Sequence, residues 1–389
     1  MKNLHLQHID EALYENGVEG AHNALEAIHN ILNGKANIST KVDGAPAVFA
    51  GYDPKDKQFF VGTKAVFAKN AKLCKSMADI DKHYEGGLNH KLKECLKHLP
   101  NIGIPFNTVL QGDLLWTEGE QMFETINGKR YVTVHPNTLV YAWEANSEMG
   151  KRVVSRPLGI AFHTTYTGNG SLSEYRAHFG ANTGGLASRN VFITDVKHRQ
   201  ELTFTEAERT EIKAALAEAE SHIKNFDRIV EVMNMIPKSY VGAGIKSFVN
   251  NCVRKDFYPS ESFGFNQYVS FVNDYWNDKV IPSVVTEAAK LTKKAGHKQL
   301  RRELEAIRED IEASFAFIKC VKEAKDLVLS KLNSSAMQES FVKTESQTMS
   351  TPPEGYVIAT ESAVMKLVDR LTFSRINFSE EYIKGWQKK

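Results

Sequence analysis

Cysteine is scarce in this sequence: only four occur in 389 residues, at positions 74, 95, 252 and 320. No two of them form a Cys-x-x-Cys pair, so the sequence indicates neither a zinc site nor a disulfide framework. Long apolar runs are also missing, and none approaches the roughly 20 residues that span a bilayer. The N-terminus lacks the apolar core of a signal peptide. We therefore expect a cytoplasmic protein that does not associate with a membrane.

The sequence also lacks an excess of either charge, with 49 Lys and Arg against 47 Asp and Glu and a net charge of +2. This balance neither requires nor excludes a nucleic-acid partner, so any basic surface must come from clustering. One cluster occurs in segment 290–302, which contains Lys290, Lys293, Lys294, His297, Lys298, Arg301 and Arg302. Two interpretations remain open for it: a solvated helix face, or a nucleic-acid contact.

Hydrophobic residues make up 42% of the chain, which is enough for two domains in a protein of this length. The segment 4–33 carries apolar residues at helical spacing and predicts two helices, the second ending at Gly34. Asp10 and Glu11 are expected on a solvated face of this segment. Beyond residue 200 the chain is rich in Ala, Glu, Lys and Leu, which predicts a large helical region.

The remaining segments predict β-strands. Strands are expected at 38–41, 47–52, 59–63, 108–116, 130–145, 158–166, 354–358 and 363–370, with a hairpin turn at 53–56 and a linker at 343–353. Because strands occur on both sides of the helical region, we predict that the two ends of the chain form one discontinuous domain. The fold class is α+β, with antiparallel sheets and a large, mainly α-helical insertion.

The predicted domain organisation therefore has four segments. They are an N-terminal helical lead (1–35), a first part of the sheet domain (36–200), a helical insertion or accessory domain (201–345), and a second part of the sheet domain with the C-terminal tail (346–389).

Five short motifs lie on the predicted strands or at their edges. They are Lys41-Val42-Asp43-Gly44, Gln111-Gly112-Asp113-Leu114, Val140-Tyr141-Ala142-Trp143-Glu144, Glu354-Gly355-Tyr356-Val357-Ile358 and Met365-Lys366-Leu367. Alone, Lys-x-Asp-Gly is more consistent with a surface turn than with a site. Together and in this order, the motifs resemble the covalent nucleotidyltransferases, which include polynucleotide ligases and RNA capping enzymes.

The resemblance is closest to the RNA ligase 2-like branch and covers roughly residues 36–165 and 350–372. Several proteins of unassigned role from large phages look similar too, including in the N-terminal helical lead. The resemblance implies a nucleotidyltransferase (ATP-grasp-like ligase) domain, and a location in the host cytoplasm if the chain is phage-encoded. The segment after Lys366 is too short for the OB-fold of capping enzymes and DNA ligases, which favours either the RNA ligase 2-like branch or a substitute role for the helical region.

The resemblance implies a covalent reaction at Lys41. Its amine would attack the α-phosphorus of ATP to give lysyl-AMP, and AMP would pass to the 5′-phosphate of a nucleic acid, RNA in preference to DNA. A lysine must lose its proton to act in this way, and Lys366 or a bound divalent metal would lower its pKa. Lys366 would also stabilise the charge on the α-phosphate. Asp113 and Glu354 supply oxygen ligands of the kind that Mg²⁺ or Mn²⁺ prefers.

The same resemblance implies contacts to the nucleotide. Asp43 would set the sugar and transition-state geometry, and Trp143 would stack on the purine with Glu144 as an acidic support. The residues implied in nucleotide binding are Lys41, Gly44, Lys64, Trp143, Glu144, Glu354 and Lys366.

Four positions depart from the family's pattern. Val368 stands where a second lysine is usual, and Arg370 is the nearest residue that would replace its charge. Lys64 stands where arginine is usual, Asp113 where glutamate is usual, and Glu144 where aspartate is common. A second hypothesis is therefore a weakened nucleotidyltransferase scaffold that binds a nucleotide or nucleic acid without a covalent intermediate.

Two further alternatives follow from the sequence. The enzyme would keep its chemistry but change its acceptor if it capped RNA with GTP or modified a protein. His163, on a predicted strand, would be an additional ligand or, as we expect, a hydrogen-bonded structural histidine.

Overall fold

The computed structural model describes residues 6–179, 183–194, 202–236, 244–259, 264–334 and 339–385. The strands are β1 (Gln7–His8), β2 (Asn37–Lys41), β3 (Ala47–Tyr52), β4 (Phe59–Gly62), β5 (Thr108–Trp116), β6 (Met122–Ile126), β7 (Lys129–Val134), β8 (Val140–Glu144), β9 (Leu158–Thr167), β10 (Arg176–Phe179), β11 (Val191–Ile193), β12 (Glu339–Lys343), β13 (Thr348–Thr351), β14 (Gly355–Ala359) and β15 (Val364–Leu367). The helices are α1 (Leu13–Leu32), α2 (Met77–His83), α3 (Gly86–His98), α4 (Glu148–Val154), α5 (Glu206–Ser221), α6 (Phe226–Asn234), α7 (Ile245–Arg254), α8 (Gly264–Tyr275), α9 (Glu287–Ala306), α10 (Arg308–Ser334) and α11 (Arg370–Phe378).

The strands form three sheets that are antiparallel except where β1 joins β15 and β11 joins β9. A four-stranded sheet has the order β1-β15-β14-β2. A six-stranded sheet has the order β10-β9-β5-β3-β4 with β11 on β9, and a five-stranded sheet has the order β13-β12-β8-β7-β6. The chain is thus a mixed α and β protein with mainly antiparallel sheets, as the sequence predicts.

Strands from both ends of the chain pair with each other. β14 pairs with β2 in the four-stranded sheet, and β12 pairs with β8 in the five-stranded sheet. The predicted hairpin of β3 and β4 is also present. Strands from the two ends of the chain therefore share two of the sheets.

The linker predicted at 343–353 is wrong in part, because residues 348–351 form β13. This strand pairs with β12, whose Phe341 and Val342 are buried, so β12 lies in the sheet rather than in the helical region. The Ser- and Thr-rich composition that suggested a linker is equally compatible with a strand at the edge of a sheet, where β13 lies.

The four-stranded sheet has two chemically different faces, because successive residues of a strand point to opposite sides. Tyr356, Ile358, Met365 and Leu367 face one side and are buried in the largest hydrophobic core. The register places His8, Ser39, Val357 and Lys366 side by side on the other face, with Lys41 two residues beyond Ser39. One face therefore supports the fold, and the other carries the polar residues of the motifs.

That largest core joins segments that the sequence assigned to different domains. It contains residues of α1 from the N-terminal lead, of α5 to α10 from the helical region, and of β14 and β15. The lead and the helical region thus pack as one body against the four-stranded sheet. The lead contains two helical segments within Leu13–Leu32, as predicted, separated by a kink where Asn16 and Gly17 have non-helical geometry. Gly34 follows the end of the second segment with a φ of 67°, as expected for a helix-terminating glycine.

Asp10 and Glu11 do not lie on a solvated face, and that prediction is wrong. They are 0% and 4% exposed. Asp10 Oδ2 lies 3.4 Å from Lys325 Nζ and accepts a hydrogen bond of 3.0 Å from Tyr258, while Glu11 Oε1 lies 2.7 Å from an Arg370 nitrogen. Burial alone would raise the pKa of Asp10, but Lys325 and Arg370 hold it well below its usual range. These buried charges connect the lead, the helical region and the segment after β15.

Within the ranges given above, the structure contains no helix that is both long and apolar enough to cross a membrane.

We expect the buried Asp10–Lys325 pair to be much more important for stability than a surface pair. Asp10→Ala leaves the 1% exposed Lys325 without its partner, and breaking such a pair costs about 3–5 kcal/mol in free energy of unfolding. Asp326→Ala is the matched control, because it removes the more exposed partner of Lys322 and costs about 0–1 kcal/mol. Urea denaturation of both variants measures the difference, and equal losses would contradict the assignment.

Candidate active site

The pairing of β2 with β14 places Lys41 next to Glu354. Lys41 is the last residue of β2 and lies opposite Gly355, the first residue of β14. Glu354 precedes that glycine, and its Oε2 accepts a hydrogen bond from Lys41 Nζ. Residues that are more than 300 positions apart in the sequence therefore form one ion pair.

Two positions of the motifs require glycine, because the backbone of a neighbouring strand passes too close for a Cβ atom. A Cβ at Gly355 would lie 2.3 Å from the carbonyl oxygen of Leu367, and its φ of 154° is rare for other residues. A Cβ at Gly44 would lie 2.7 Å from the carbonyl oxygen of Leu114 and 2.8 Å from Cβ of Asp113. Gly44 therefore acts through packing: it lets the loop after Lys41 lie directly against β5.

Asp113 reaches the same region from β5. It pairs with Ala47 on one side and Ala161 on the other, so it lies in the interior of the six-stranded sheet. Its Oδ2 is 3.7 Å from Nε2 of His163, a residue of β9. The Nδ1 atom of His163 lies 2.8 Å from the hydroxyl of Thr164, which agrees with the expected hydrogen-bonded histidine.

A cavity of about 240 Å³, which we call the Asp113 cavity, lies between the four-stranded and six-stranded sheets. It is lined by Leu6, Ser39, Thr40, Lys41, Val42, Gln111, Asp113, Ala161, His163, Phe179 and Val357. Lys41 and Asp113 are the charged residues of the motifs that face it. Sequence reasoning missed Gln111, Phe179 and the position of His163, although the Leu158–Thr167 strand was expected.

The acidic residues around Lys41 decide its charge. Burial disfavours its ammonium form, but Glu354, followed by Asp43 and Asp113, outweighs that effect and raises the pKa of Lys41. The net change is therefore opposite to the predicted lowering, because the positive charge of Lys366 does not outweigh these carboxylates. Instead, burial and the charge of Lys41 lower the pKa of Lys366.

Glu354 is itself perturbed. Burial raises the pKa of its carboxyl, and Asp43 and Asp113 add to this effect while Lys41 opposes it. A carboxylate with a raised pKa in a hydrogen bond with an ammonium is well placed to accept the ammonium proton.

Asp43 is held by the loop that precedes β8. Its carboxylate accepts hydrogen bonds of 2.8 Å from the Asn137 amide and 3.2 Å from the backbone N–H of Thr138. The backbone N–H of Asp43 donates to the hydroxyl of Tyr141. Tyr141 thus positions the Lys41 loop, a role that sequence reasoning did not assign.

Trp143 lies in a hydrophobic core and does not line the Asp113 cavity, so its ring is not exposed there to a base, as the prediction of purine stacking requires. Its ring is 8% exposed and packs at 6.0 Å from Trp116 and 5.8 Å from Phe192, in edge-on arrangements. Glu144 points to the opposite side of β8 and pairs with Lys129 at 3.2 Å on the surface. β9, through Ala161 and His163, is the strand that lines the cavity instead.

The structure also shows where three further positions from the comparison with the family pattern lie. Lys64 is exposed at the start of a short 3-10 helix (Lys64–Phe67) after β4 and does not line the Asp113 cavity. Val368 is buried in a hydrophobic core. Arg370 is not free to supply the positive charge of the missing lysine. It is buried against Glu11 and donates a hydrogen bond to the amide oxygen of Asn250.

The predicted metal ligands occupy different positions around Lys41. Asp113 faces the Asp113 cavity, while Glu354 accepts a hydrogen bond from Lys41. Mg²⁺ often uses only one or two carboxylates together with substrate phosphates, so this donor set fits such an ion. Among the residues that the structure describes, a group of three ligand atoms within 4.8 Å of one another occurs only at Glu218, His222 and Cys320, on and after α5 and on α10.

Replacing Glu354 tests the electrostatic account of Lys41. We expect Glu354→Gln to lower the pKa of Lys41 by about one unit or more, because it removes the largest charge that stabilises the ammonium. The measurement is the rate of Lys41 acetylation against pH, followed by peptide mass spectrometry. The Lys41 side chain is 29% exposed and accessible to the reagent.

Glu345→Gln is the control for this experiment, because Glu345 is exposed in the turn between β12 and β13. It should leave the pH dependence of Lys41 acetylation unchanged. The same pH dependence in Glu354→Gln and the unmodified protein would refute the ion pair.

Comparison with known proteins adds a family but no function. No curated protein and no solved structure matches the chain. One family model matches residues 3–382, which include the lead, the helical region and every strand. The chain therefore belongs to this family, which is described as a family of unknown function (DUF6267).

Proposed function

We propose that the protein is an ATP-dependent nucleotidyltransferase of the RNA or polynucleotide ligase type, built on a nucleotidyltransferase (ATP-grasp-like ligase) domain. Lys41 would receive AMP from ATP and pass it to the 5′-phosphate of a nucleic acid. The observation that carries the proposal is the convergence of Lys41, Asp113, Glu354 and Lys366 around adjoining cavities, although they come from three distant parts of the sequence.

The first step follows from the Lys41–Glu354 contact. The Nζ atom of Lys41 forms a bond to the α-phosphorus as the bond to the pyrophosphate oxygen breaks, and pyrophosphate leaves with that electron pair. The amine that attacks loses one proton to the departing pyrophosphate after the bond has formed, but the Lys41 ammonium must first give up another proton to free its lone pair. Glu354 Oε2 already accepts a hydrogen bond from Nζ, and burial raises the pKa of this carboxyl, so Glu354 takes that first proton.

Lys366 supplies positive charge to this step. It shares a sheet face with Lys41 and has neither an ion-pair nor a hydrogen-bond partner in the part of the chain that the structure describes. A buried cation of this kind is available to stabilise the charge on a phosphate oxygen.

The other contacts concern the metal and the base. Asp113 would hold Mg²⁺ or Mn²⁺, which when bound neutralises phosphate charge, and Glu354 would add a ligand only in its ionised form, before it takes the proton of Lys41. His163 and Phe179 are the aromatic side chains that line the Asp113 cavity, and we propose that the base packs against them in place of Trp143.

Removing the Lys41 amine tests the proposal. Purified protein incubated with magnesium and ATP, and separately with GTP, should gain the mass of one nucleoside monophosphate by intact mass spectrometry. Lys41→Ala should abolish that gain, because the covalent bond forms on its Nζ. Lys35→Ala, an exposed lysine shortly before β2, is the matched control and should form the adduct normally.

An adduct that persists in Lys41→Ala would refute the assigned nucleophile. Folded protein that forms no adduct with either nucleotide would favour the second hypothesis, a scaffold that binds nucleotides or nucleic acid without covalent chemistry. The burial of Val368 at the position of the usual second lysine is the structural observation that favours this second candidate.

We propose that the basic face of α9 contacts the nucleic acid. Lys294, Lys298 and Arg301 recur at helical spacing, and they are exposed together with Arg302. None of the four has a carboxylate partner within the described ranges. Lys290 and His297 are engaged differently, because Lys290 pairs with Glu287 and His297 stacks on Trp276 with ring centroids 5.3 Å apart.

Neutralising this face should weaken RNA binding and its dependence on salt. For the double substitution Lys298→Gln and Arg302→Gln, we expect the slope of log K against log salt to fall by roughly 1.4, or about 0.7 for each lost phosphate contact. Lys55→Gln with Lys57→Gln, on the exposed β3–β4 turn, is the control and should leave the slope unchanged. Fluorescence anisotropy with labelled single-stranded RNA measures both, and equal slopes would contradict the α9 contact.

A further inference from the structure

A second cavity of about 240 Å³ adjoins the candidate active site, and Lys41 lines both cavities. Its floor is the polar face of the four-stranded sheet, with His8, Lys41 and Lys366. Its wall comes from outside the motifs, from α7 and α11. This cavity therefore joins the reactive lysine to two helices whose role the motifs do not explain.

The charges of the second cavity favour an anion. Lys366 lies on its floor, and Arg254 at the end of α7 lies at its exposed side. Within the residue ranges of the structure, neither cation is paired with a carboxylate. Glu354 is the acidic residue that lines the cavity, and it is already paired with Lys41. Two cations are thus left without compensating charge.

Polar groups near these cations also lack partners. Ser374 of α11 is 9% exposed, and its buried hydroxyl has no hydrogen-bond partner among the described residues. The same is true of Nδ1 of His8, whose pKa is held well below its usual value mainly by burial. Buried polar groups in proteins are nearly always hydrogen-bonded, so unsatisfied groups beside unpaired cations indicate a ligand with several acceptor oxygens.

We propose that this second cavity binds a phosphate group that takes part in the reaction at Lys41. The proposal rests on the proposed function, in which the phosphate has two sources: pyrophosphate released from ATP, and the 5′-phosphate of the acceptor strand. In both cases α7 and α11 provide the binding wall, with Arg254 as the contact from the helical region.

The residues at the exposed side of the second cavity favour the acceptor strand as the source of the phosphate. Phe378 of α11 is 63% exposed there, and the Arg254 guanidinium lies 4.7 Å from the centre of its ring. An exposed aromatic ring beside an arginine is a typical platform for an unpaired base next to a phosphate. Pyrophosphate, which has no base, would not use this ring.

Binding to the full-length protein without ATP tests the proposal directly. The probes are inorganic pyrophosphate, followed by calorimetry, and a short RNA with a 5′-phosphate or a 5′-hydroxyl, followed by anisotropy. Arg254→Gln should weaken binding of the phosphate-bearing probe about tenfold, because it removes one charged contact. Lys255→Gln, the exposed next residue, is the matched control and should bind as the unmodified protein does.

A second variant keeps the test valid if Arg254→Gln folds poorly. Asn377→Asp changes almost no volume but adds a negative charge to the cavity lining, so it should weaken the same probe at least as much. If only the 5′-phosphorylated RNA is affected, the acceptor end is the ligand; if only pyrophosphate is affected, the leaving group is. If neither probe depends on Arg254 or Asn377, the proposal is overturned.

The binding results also separate this inference from the proposed function. Protein that forms no nucleotide adduct, but whose phosphate binding depends on Arg254, would refute the transferase and retain the phosphate cavity. Protein that forms the adduct on Lys41, but binds both probes equally well with and without Arg254, would retain the transferase and refute the cavity assignment.

Discussion

The site depends above all on the register between β2 and β14. Lys41 lies opposite Gly355, and this pairing alone brings the Glu354 carboxylate to the Lys41 amine. Shifting β14 by one residue would turn its side chains to the opposite face of the sheet. Tyr356 and Ile358 are fully buried in the helical core on the other face, and their burial fixes the register. The packing of the core thereby determines the charge of Lys41.

The buried ionic cluster around Asp10 gives the helical region a structural role in this arrangement. Asp10 contacts Lys325 of α10 and Glu11 contacts Arg370, which begins α11 immediately beyond β15. Buried charges of this kind tolerate little displacement, because each partner left alone in the interior would be strongly unfavourable. The helices are therefore fixed against the sheet that carries Lys366, and α7 and α11 are held at the edge of the site.

Much of the architecture could be predicted from the sequence because strand and helix periodicities are local. The strands that carry Lys41, Asp113 and Lys366 were expected where they occur, and so was the joining of the two ends of the chain. The predictions that failed concern which residues contact a given side chain in the folded protein. Trp143 has the side chain of a base-stacking residue, yet Trp116 and Phe192 cover it, and no local pattern distinguishes a core face from a cavity face. Local sequence patterns predict that Asp10 is exposed to solvent, because its buried partner Lys325 lies 315 residues away in the sequence.

The distance in sequence between Lys41 and Glu354, 313 residues, also sets the order of events during synthesis. At roughly 5–20 residues per second, the ribosome exposes Lys41 for tens of seconds before it makes Glu354 and Lys366. During that time β2 lacks its neighbour β14, and its polar face has no countercharge from the later strands. The nascent chain therefore carries Lys41 without its partner Glu354, and the cluster of charges around Lys41 is completed only by the strands that are made last.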